Sequence, residues 1–371
     1  MKVLDTILIF QGGGSLGAYE CGVYQALSRW FREKGHRLAV VAGTSMGAVN
    51  AAIIATHSAD SDHGVTALQN FWHSVAQDSV CFFPPFGELA AWNAVWTSLL
   101  FGGRGVFRPS VPLWTFMPPV TWAPFTKFYD TTVLESTLEG FFHEFGPNRA
   151  EPRLIVTAVD IDRIKPVTFD SWDTAITPRH IRASCSLPPG FGATELDQLR
   201  LWDGGLWSNT PLREVLNCLQ KRNAPKPEAT SEHLVFIVDL FAPGTNGQTQ
   251  TMSNWDIWAL RDRVLFQDKG EYDERSADWV NRHIDFIREV RRHIHGLPTP
   301  EGSKLDDLSA FVERTANRME EEGRIRLNIR RIVRSDGNRH EVSREIDFSP
   351  TRIATLMNQG EADTTALIAT L

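Results

Sequence analysis

Short, uninterrupted apolar runs alternate with helix-periodic stretches along the first sixty residues. Residues 4–10 are mostly apolar and run into glycines, which predicts a buried strand. Residues 15–34 carry an apolar stripe of Leu16, Val23, Leu27, Trp30 and Phe31. They predict a helix that stops at Gly35, a residue suited to the left-handed position after a helix. Residues 38–42 predict a second buried strand and residues 48–56 a second helix. Strand, helix, strand, helix implies parallel strands with right-handed crossovers.

Residues 79–129 break this rhythm. They hold Trp92, Trp96, Trp114 and Trp122 among many phenylalanines, with prolines scattered throughout. Such a stretch does not form one regular element. It is expected to be a folded cap insertion over the sheet, with an aromatic core and a face that could wall an acyl site or lie at a membrane interface. The alternation resumes with strands at 153–161, 166–169, 199–202 and 233–241. Helices are expected at 177–184, capped by Thr177 with Pro178 in the first turn, and at 212–221. Past residue 245 the chain becomes charged and helix-periodic over 254–295 and 305–322. Residues 324–334 and 340–348 suggest a hairpin around Asp336-Gly337, a dipeptide favoured in type I′ turns. Ser349-Pro350 starts a last helix. The expected fold is α/β, a three-layer α/β/α arrangement on a mostly parallel sheet. Residues 1–245 would form the catalytic domain and 246–371 a C-terminal helical and hairpin extension.

The 371 residues can bury a large core, and 42% hydrophobic with 22% charged residues is ordinary for a folded chain. A net charge of -7 argues against general affinity for nucleic acid. Cys21, Cys81, Cys185 and Cys218 lack metal-site spacing and read as buried free thiols of a reducing compartment. The N-terminal apolar run is too short for a signal peptide, and residues 39–55 are interrupted by polar residues and glycines. A cytoplasmic protein is expected, with any membrane contact peripheral. Arg324, Arg326, Arg330, Arg331 and Arg334 make a basic strand, read as a solvated edge that discourages aggregation.

Three short motifs carry the chemistry. Gly43-Thr44-Ser45-Met46-Gly47 sits between a strand and a helix. A serine on so sharp a turn points its hydroxyl into open space, and small neighbours two residues away relieve the crowding. Chance alone would place G-x-S-x-G in roughly one chain in eight of this length, so the strand–turn–helix setting is what gives it weight. Gly12-Gly13-Gly14-Ser15-Leu16-Gly17 offers side-chain-free amides that can approach the oxyanion formed when an ester carbonyl is attacked. Gly12, Gly14 and Gly17 also spell the dinucleotide pattern G-x-G-x-x-G, which makes a nucleotide-binding oxidoreductase the rival class. That reading wants an acidic residue at the end of the second strand, and Ala42-Gly43-Thr44-Ser45 has none. Asp203-Gly204-Gly205 closes a short strand and supplies a carboxylate base, with Asn209-Thr210-Pro211 downstream.

Together these motifs resemble the patatin-like phospholipases over roughly residues 5–245, as do Ala183-Ser184-Cys185-Ser186-Leu187-Pro188 and Thr157-Ala158-Val159-Asp160. The resemblance implies a serine acyl-ester hydrolase with a Ser-Asp dyad: Ser45 the nucleophile and Asp203 the base. It also implies an oxyanion hole from the Gly12, Gly13 and Gly14 loop, an acyl-enzyme, and no metal or organic cofactor. Gly17, Gly43, Met46, Gly47, Gly204 and Gly205 support the motifs. None of the eleven histidines falls in a triad-like motif; His57 and His180 lie nearest and read as ordinary polar residues. Many relatives carry Arg or Lys where this chain has Leu16, a departure that favours neutral esters, thioesters or polyesters over phospholipids. The partner expected is a lipid or other acyl-ester substrate; the sequence leaves the oligomeric state open.

Overall fold

A computed structural model describes residues 5–58, 61–84, 86, 88–110, 127–142, 144–147, 152–223, 232–241, 270–295, 297, 302–321, 326–335 and 344–371. Strand β1 (Asp5–Phe10) leads through a 3-10 turn at Gly14–Leu16 into α1 (Gly17–Lys34), which ends at Gly35 with φ of 69°. Strand β2 (Arg37–Gly43) and helix α2 (Met46–His57) complete the expected alternation. Two helices follow that the patterning did not single out, α3 (Ser61–Val75) and α4 (Glu88–Phe101). The short strands β3 (Arg108–Pro109) and β4 (Tyr129–Asp130) pair antiparallel, and α5 (Thr132–Glu139) comes next.

Among its described residues the cap insertion therefore holds one helix, α4, and the short β3–β4 pairing. Asn93 on this helix accepts the N–H groups of Phe82 and Phe83 and donates to the Phe83 carbonyl, fastening the preceding loop. Trp114 and Trp122 lie outside the described residues.

Strands β5 (Arg153–Asp160), β6 (Lys165–Asp170), β7 (Thr194–Leu196) and β8 (Leu199–Asp203) frame α6 (Pro178–Ser184). Helix α7 (Leu212–Asn223) and strand β9 (Glu232–Asp239) follow. The C-terminal part adds α8 (Gly270–Ile294), α9 (Lys304–Glu321), β10 (Arg326–Val333) and α10 (Pro350–Ile368). The sheet runs β10-β9-β1-β2-β5-β8-β7, with β6 on the other edge of β5. Its β10, β9, β1, β2 and β5 are parallel; β6, β7 and β8 pair antiparallel.

Alternating side chains of β1 face opposite layers, as a strand's period of two requires. Leu8 and Phe10 join the core under α1, α2, α3 and α10, whereas Ile7 and Ile9 meet α7 and α8. The three-layer expectation holds. Helices α1 and α10 approach through reciprocal glycines: a Cβ on Gly22 would sit 1.8 Å from the Met357 carbonyl oxygen, and one on Gly360 2.0 Å from that of Tyr19.

Three expectations are corrected. Among the described residues the basic strand has no hairpin partner; β10 adds in parallel to β9, and of the second arm's described residues, 344–348, Arg344–Ile346 form a 3-10 turn. A parallel neighbour already in the main sheet offers eight residues of ladder, more than a local turn could. Nor is that strand a uniformly solvated edge. Arg331 pairs with Asp239, and buried Arg334 donates from Nε to the Leu240 carbonyl at 3.0 Å. Of the cysteines, Cys21, Cys185 and Cys218 are buried as expected, but Cys81 is exposed in the loop before α4.

Candidate active site

Strand β5 explains why residues far apart in sequence meet. Its β6-facing edge is occupied from Ile155 to Asp160, so β2 and β8, which pair with 153–156 and 158–160, share the other edge. There Gly43, the last residue of β2, pairs with Val156, and Asp203, the last residue of β8, pairs with Ala158. Ser45 leaves β2 two residues later and so arrives beside Asp203.

The turn at Ser45 is forced by its neighbours. Ser45 has φ 54° and ψ -127°, a conformation that costs a residue with a side chain about 1–3 kcal/mol. A Cβ on Gly43 would lie 2.2 Å from the Gly47 carbonyl oxygen, and one on Gly47 2.5 Å from that of Gln11. Thr44 Oγ1 and Thr157 Oγ1 share a hydrogen bond of 2.8 Å that ties the elbow to β5. The Ser45 N–H donates to Ser184 Oγ at 2.9 Å.

Asp203 is 2% exposed. Its carboxyl is hydrogen-bonded with the Ser45 hydroxyl and accepts the Gly205 N–H at 2.8 Å. Burial pushes its pKa up to about 7, against the opposing pull of the Gly205 amide and the Ser45 hydroxyl. A carboxyl that titrates near neutrality, bonded to a hydroxyl on a strained turn, can take that hydroxyl's proton when a carbonyl carbon is attacked.

The glycine loop is held from behind. Gly12 donates its N–H to Asn209 Oδ1 at 3.0 Å and accepts from Asn209 Nδ2 at 3.0 Å. Gln11 Nε2 donates to Thr210 Oγ1 at 2.7 Å, and Gln11 Oε1 accepts the Leu240 N–H at 2.9 Å. The Gly12 amide is thus committed to Asn209, and its part is to fix the loop's position. Gly14 has φ of 56°, and a Cβ there would lie 2.2 Å from the Glu345 carbonyl oxygen, so the turn before α10 presses on the loop. Gly12, Gly13, Gly14, Ser45, Leu187, Asp203, Asn209, Phe241 and Glu345 line one small cleft of about 40 Å³.

Several expectations find their places. Gly204 fits tightly against Thr157 of β5, and Gly17 against Trp72 of α3. Met46 starts α2 and is buried. Leu16 is 4% exposed and does not line the cleft, so its side chain belongs to the core beneath the loop. His180 closes a capping box with Thr177, and burial lowers its pKa. His57 Nε2 lies 3.0 Å from the Phe141 carbonyl oxygen. Neither histidine lines the cleft. Sequence reasoning missed Glu345, for which no local pattern existed. It named Asn209 and Ser184 only as members of motifs, without their contacts.

This frame defines a class: a hydrolase of carboxylic esters built on a three-layer α/β/α core. A model of the patatin-like phospholipase family matches residues 8–216, more than half of the chain, and the chain belongs to that family. Its activity in general terms is therefore lipid acyl hydrolysis. No curated protein matches the chain. Among solved structures, VipD from Legionella pneumophila is similar at 14% identity, over 100% of this chain and 67% of that one, with a TM-score of 0.37. Among the described residues no helix is long and apolar enough to cross a membrane.

Proposed function

We propose that the protein cleaves acyl esters through a Ser45–Asp203 dyad and an acyl-enzyme. Ser45 Oγ attacks the ester carbonyl carbon while its proton passes to Asp203. Backbone amides of Gly13 and Gly14 receive the developing oxyanion, each such donor typically worth about 2.7–4 kcal/mol of barrier. As the carbonyl re-forms, the alcohol leaves with the proton held by Asp203. Water then gives its proton to Asp203 and attacks the acyl carbon, and the fatty acid departs with Ser45 reprotonated. The observation that carries this reading is the buried Asp203 carboxyl, raised to about 7 and bonded to the hydroxyl at the elbow.

The charge of the cleft supports neutral acyl esters over phospholipids. Among the described residues that line it, Asp203 and Glu345 carry charge and none is a cation. Peripheral contact with a lipid surface is supported by Val80, Phe82, Phe83, Phe86 and Phe101, all exposed around the start and end of α4.

A fluorophosphonate probe tests the dyad. Wild-type protein should be labelled and should hydrolyse p-nitrophenyl esters, and folded Ser45→Ala should do neither. Wild-type rates from Ser45→Ala would refute the assignment. Comparing phosphatidylcholine with a neutral acylglycerol tests the substrate class. Flotation with phosphatidylcholine vesicles, lost in a Phe82→Ser/Phe86→Ser variant, tests the surface contact.

A further inference from the structure

Ser184, Cys185 and Ser186 are three consecutive residues at the end of α6, and each one meets a different atom of the proposed dyad. Ser184 Oγ accepts the Ser45 N–H at 2.9 Å. Cys185 is hydrogen-bonded with the Ser45 side chain. The carbonyl of Ser186 accepts the Asp203 N–H at 3.0 Å. We infer that residues 184–186 are a positioning bracket that sets the distance and angle between nucleophile and base.

The bracket is itself held. Ser184 and Ser186 are fully buried. Ser186 Oγ donates to the Arg182 carbonyl at 2.9 Å and shares a 2.8 Å hydrogen bond with Thr194 Oγ1. Thr194 belongs to β7, the neighbour of the β8 strand that ends at Asp203. At the other end of α6, the Thr177–His180 capping box and Pro178 fix the first turn. A rigid seven-residue helix therefore reaches from its cap to the dyad.

The chemistry of each contact suits the step. Ser45 sits at φ 54°, a backbone that relaxes unless something grips it. A hydroxyl oxygen aimed at its N–H is such a grip. The buried thiol of Cys185 lies against the same Ser45 side chain and limits where Oγ can swing. Burial keeps Cys185 protonated, so it brings no second negative charge beside Asp203. Ser186 meanwhile anchors the main chain of the base. A shift of about 1 Å between such groups typically costs on the order of a hundredfold in rate.

This inference rests on the Ser45–Asp203 dyad proposed above. The full-length protein would be compared with Ser184→Ala, Cys185→Ala and Cys185→Ser on p-nitrophenyl butyrate, with kcat, KM, melting temperature and the rate of fluorophosphonate labelling all measured. The bracket expects Ser184→Ala to lose roughly tenfold to a hundredfold in kcat and labelling rate, with KM changed less than about threefold. It expects Cys185→Ala to lose about tenfold and Cys185→Ser, which restores a hydrogen-bonding group of similar size, to recover most of that. A folded Ser184→Ala with wild-type kcat overturns the bracket while leaving the dyad intact. If Ser184→Ala fails to fold, the cysteine pair decides. Equal activity of Cys185→Ala and wild type overturns the bracket, and rescue by serine supports it. Wild-type protein that neither hydrolyses esters nor takes the probe overturns the dyad, and the bracket with it.

Discussion

Replacing Asp203 by asparagine separates the carboxyl's cost to the fold from its use in catalysis. Its pKa is raised from 3.8 to about 7, a difference of about 3 units, or about 4 kcal/mol at 1.36 kcal/mol per unit. The residue is buried, so this figure needs no reduction for solvent screening. Below pH 3.8 the carboxyl is protonated in both folded and unfolded chains and imposes no penalty. Between 3.8 and 7 the unfolded chain releases the proton and the folded one keeps it, so stability falls as pH rises. Above 7 the penalty is complete. Asparagine is neutral throughout and can still accept the Gly205 N–H. Asp203→Asn should therefore match wild type near pH 4 and exceed it by up to about 4 kcal/mol at pH 8. Its kcat should fall by about 10²–10⁴, the usual worth of a positioned base. Urea midpoints at pH 4, 6 and 8, with initial rates on a short-chain ester, measure both. A stability difference that does not change with pH, or a variant with undiminished kcat, would refute the reasoning.

Three further outcomes follow from the same geometry. The pH–rate profile of kcat/KM should show an acid limb near pH 7, where Asp203 ionises, and a flat profile from pH 5 to 9 would contradict a carboxylate base. Asn209→Ala should leave the buried Gly12 N–H unpaired, lowering stability by about 1–3 kcal/mol and slowing acylation, as read by denaturant midpoint and probe labelling. Gly360→Ala should force α10 off α1 and cost about 1–3 kcal/mol or more, seen as a lower melting temperature.

What the sequence disclosed and what it hid divide along physical lines. Strands β1, β2, β5 and β9 are nearly unbroken apolar runs because both sheet faces are covered, and such runs stand out. The elbow was legible because a strained serine needs small neighbours, and Gly43 and Gly47 are local to it. Helix α4 was obscured because its sequence is apolar nearly all round and lies among prolines and aromatics, so no polar face marked a period. The antiparallel β8, which brings Asp203 to Ser45, is five residues long, and nothing in its sequence reveals which edge of β5 it joins. The commitment of the Gly12 amide to Asn209 and the pressure of Glu345 on Gly14 span nearly 200 and over 300 residues respectively. Contacts of that range leave no local pattern.

The Glu345 contact has a consequence for biosynthesis. Chains emerge N-terminus first, so Ser45, Asp203 and the glycine loop leave the ribosome well before residues 344–368 do. Until that last stretch arrives, one side of the substrate cleft is missing, and α1 exposes the groove that Gly360 later fills. A nascent chain thus carries these groups in an unfinished enclosure until residues 344–368 have followed.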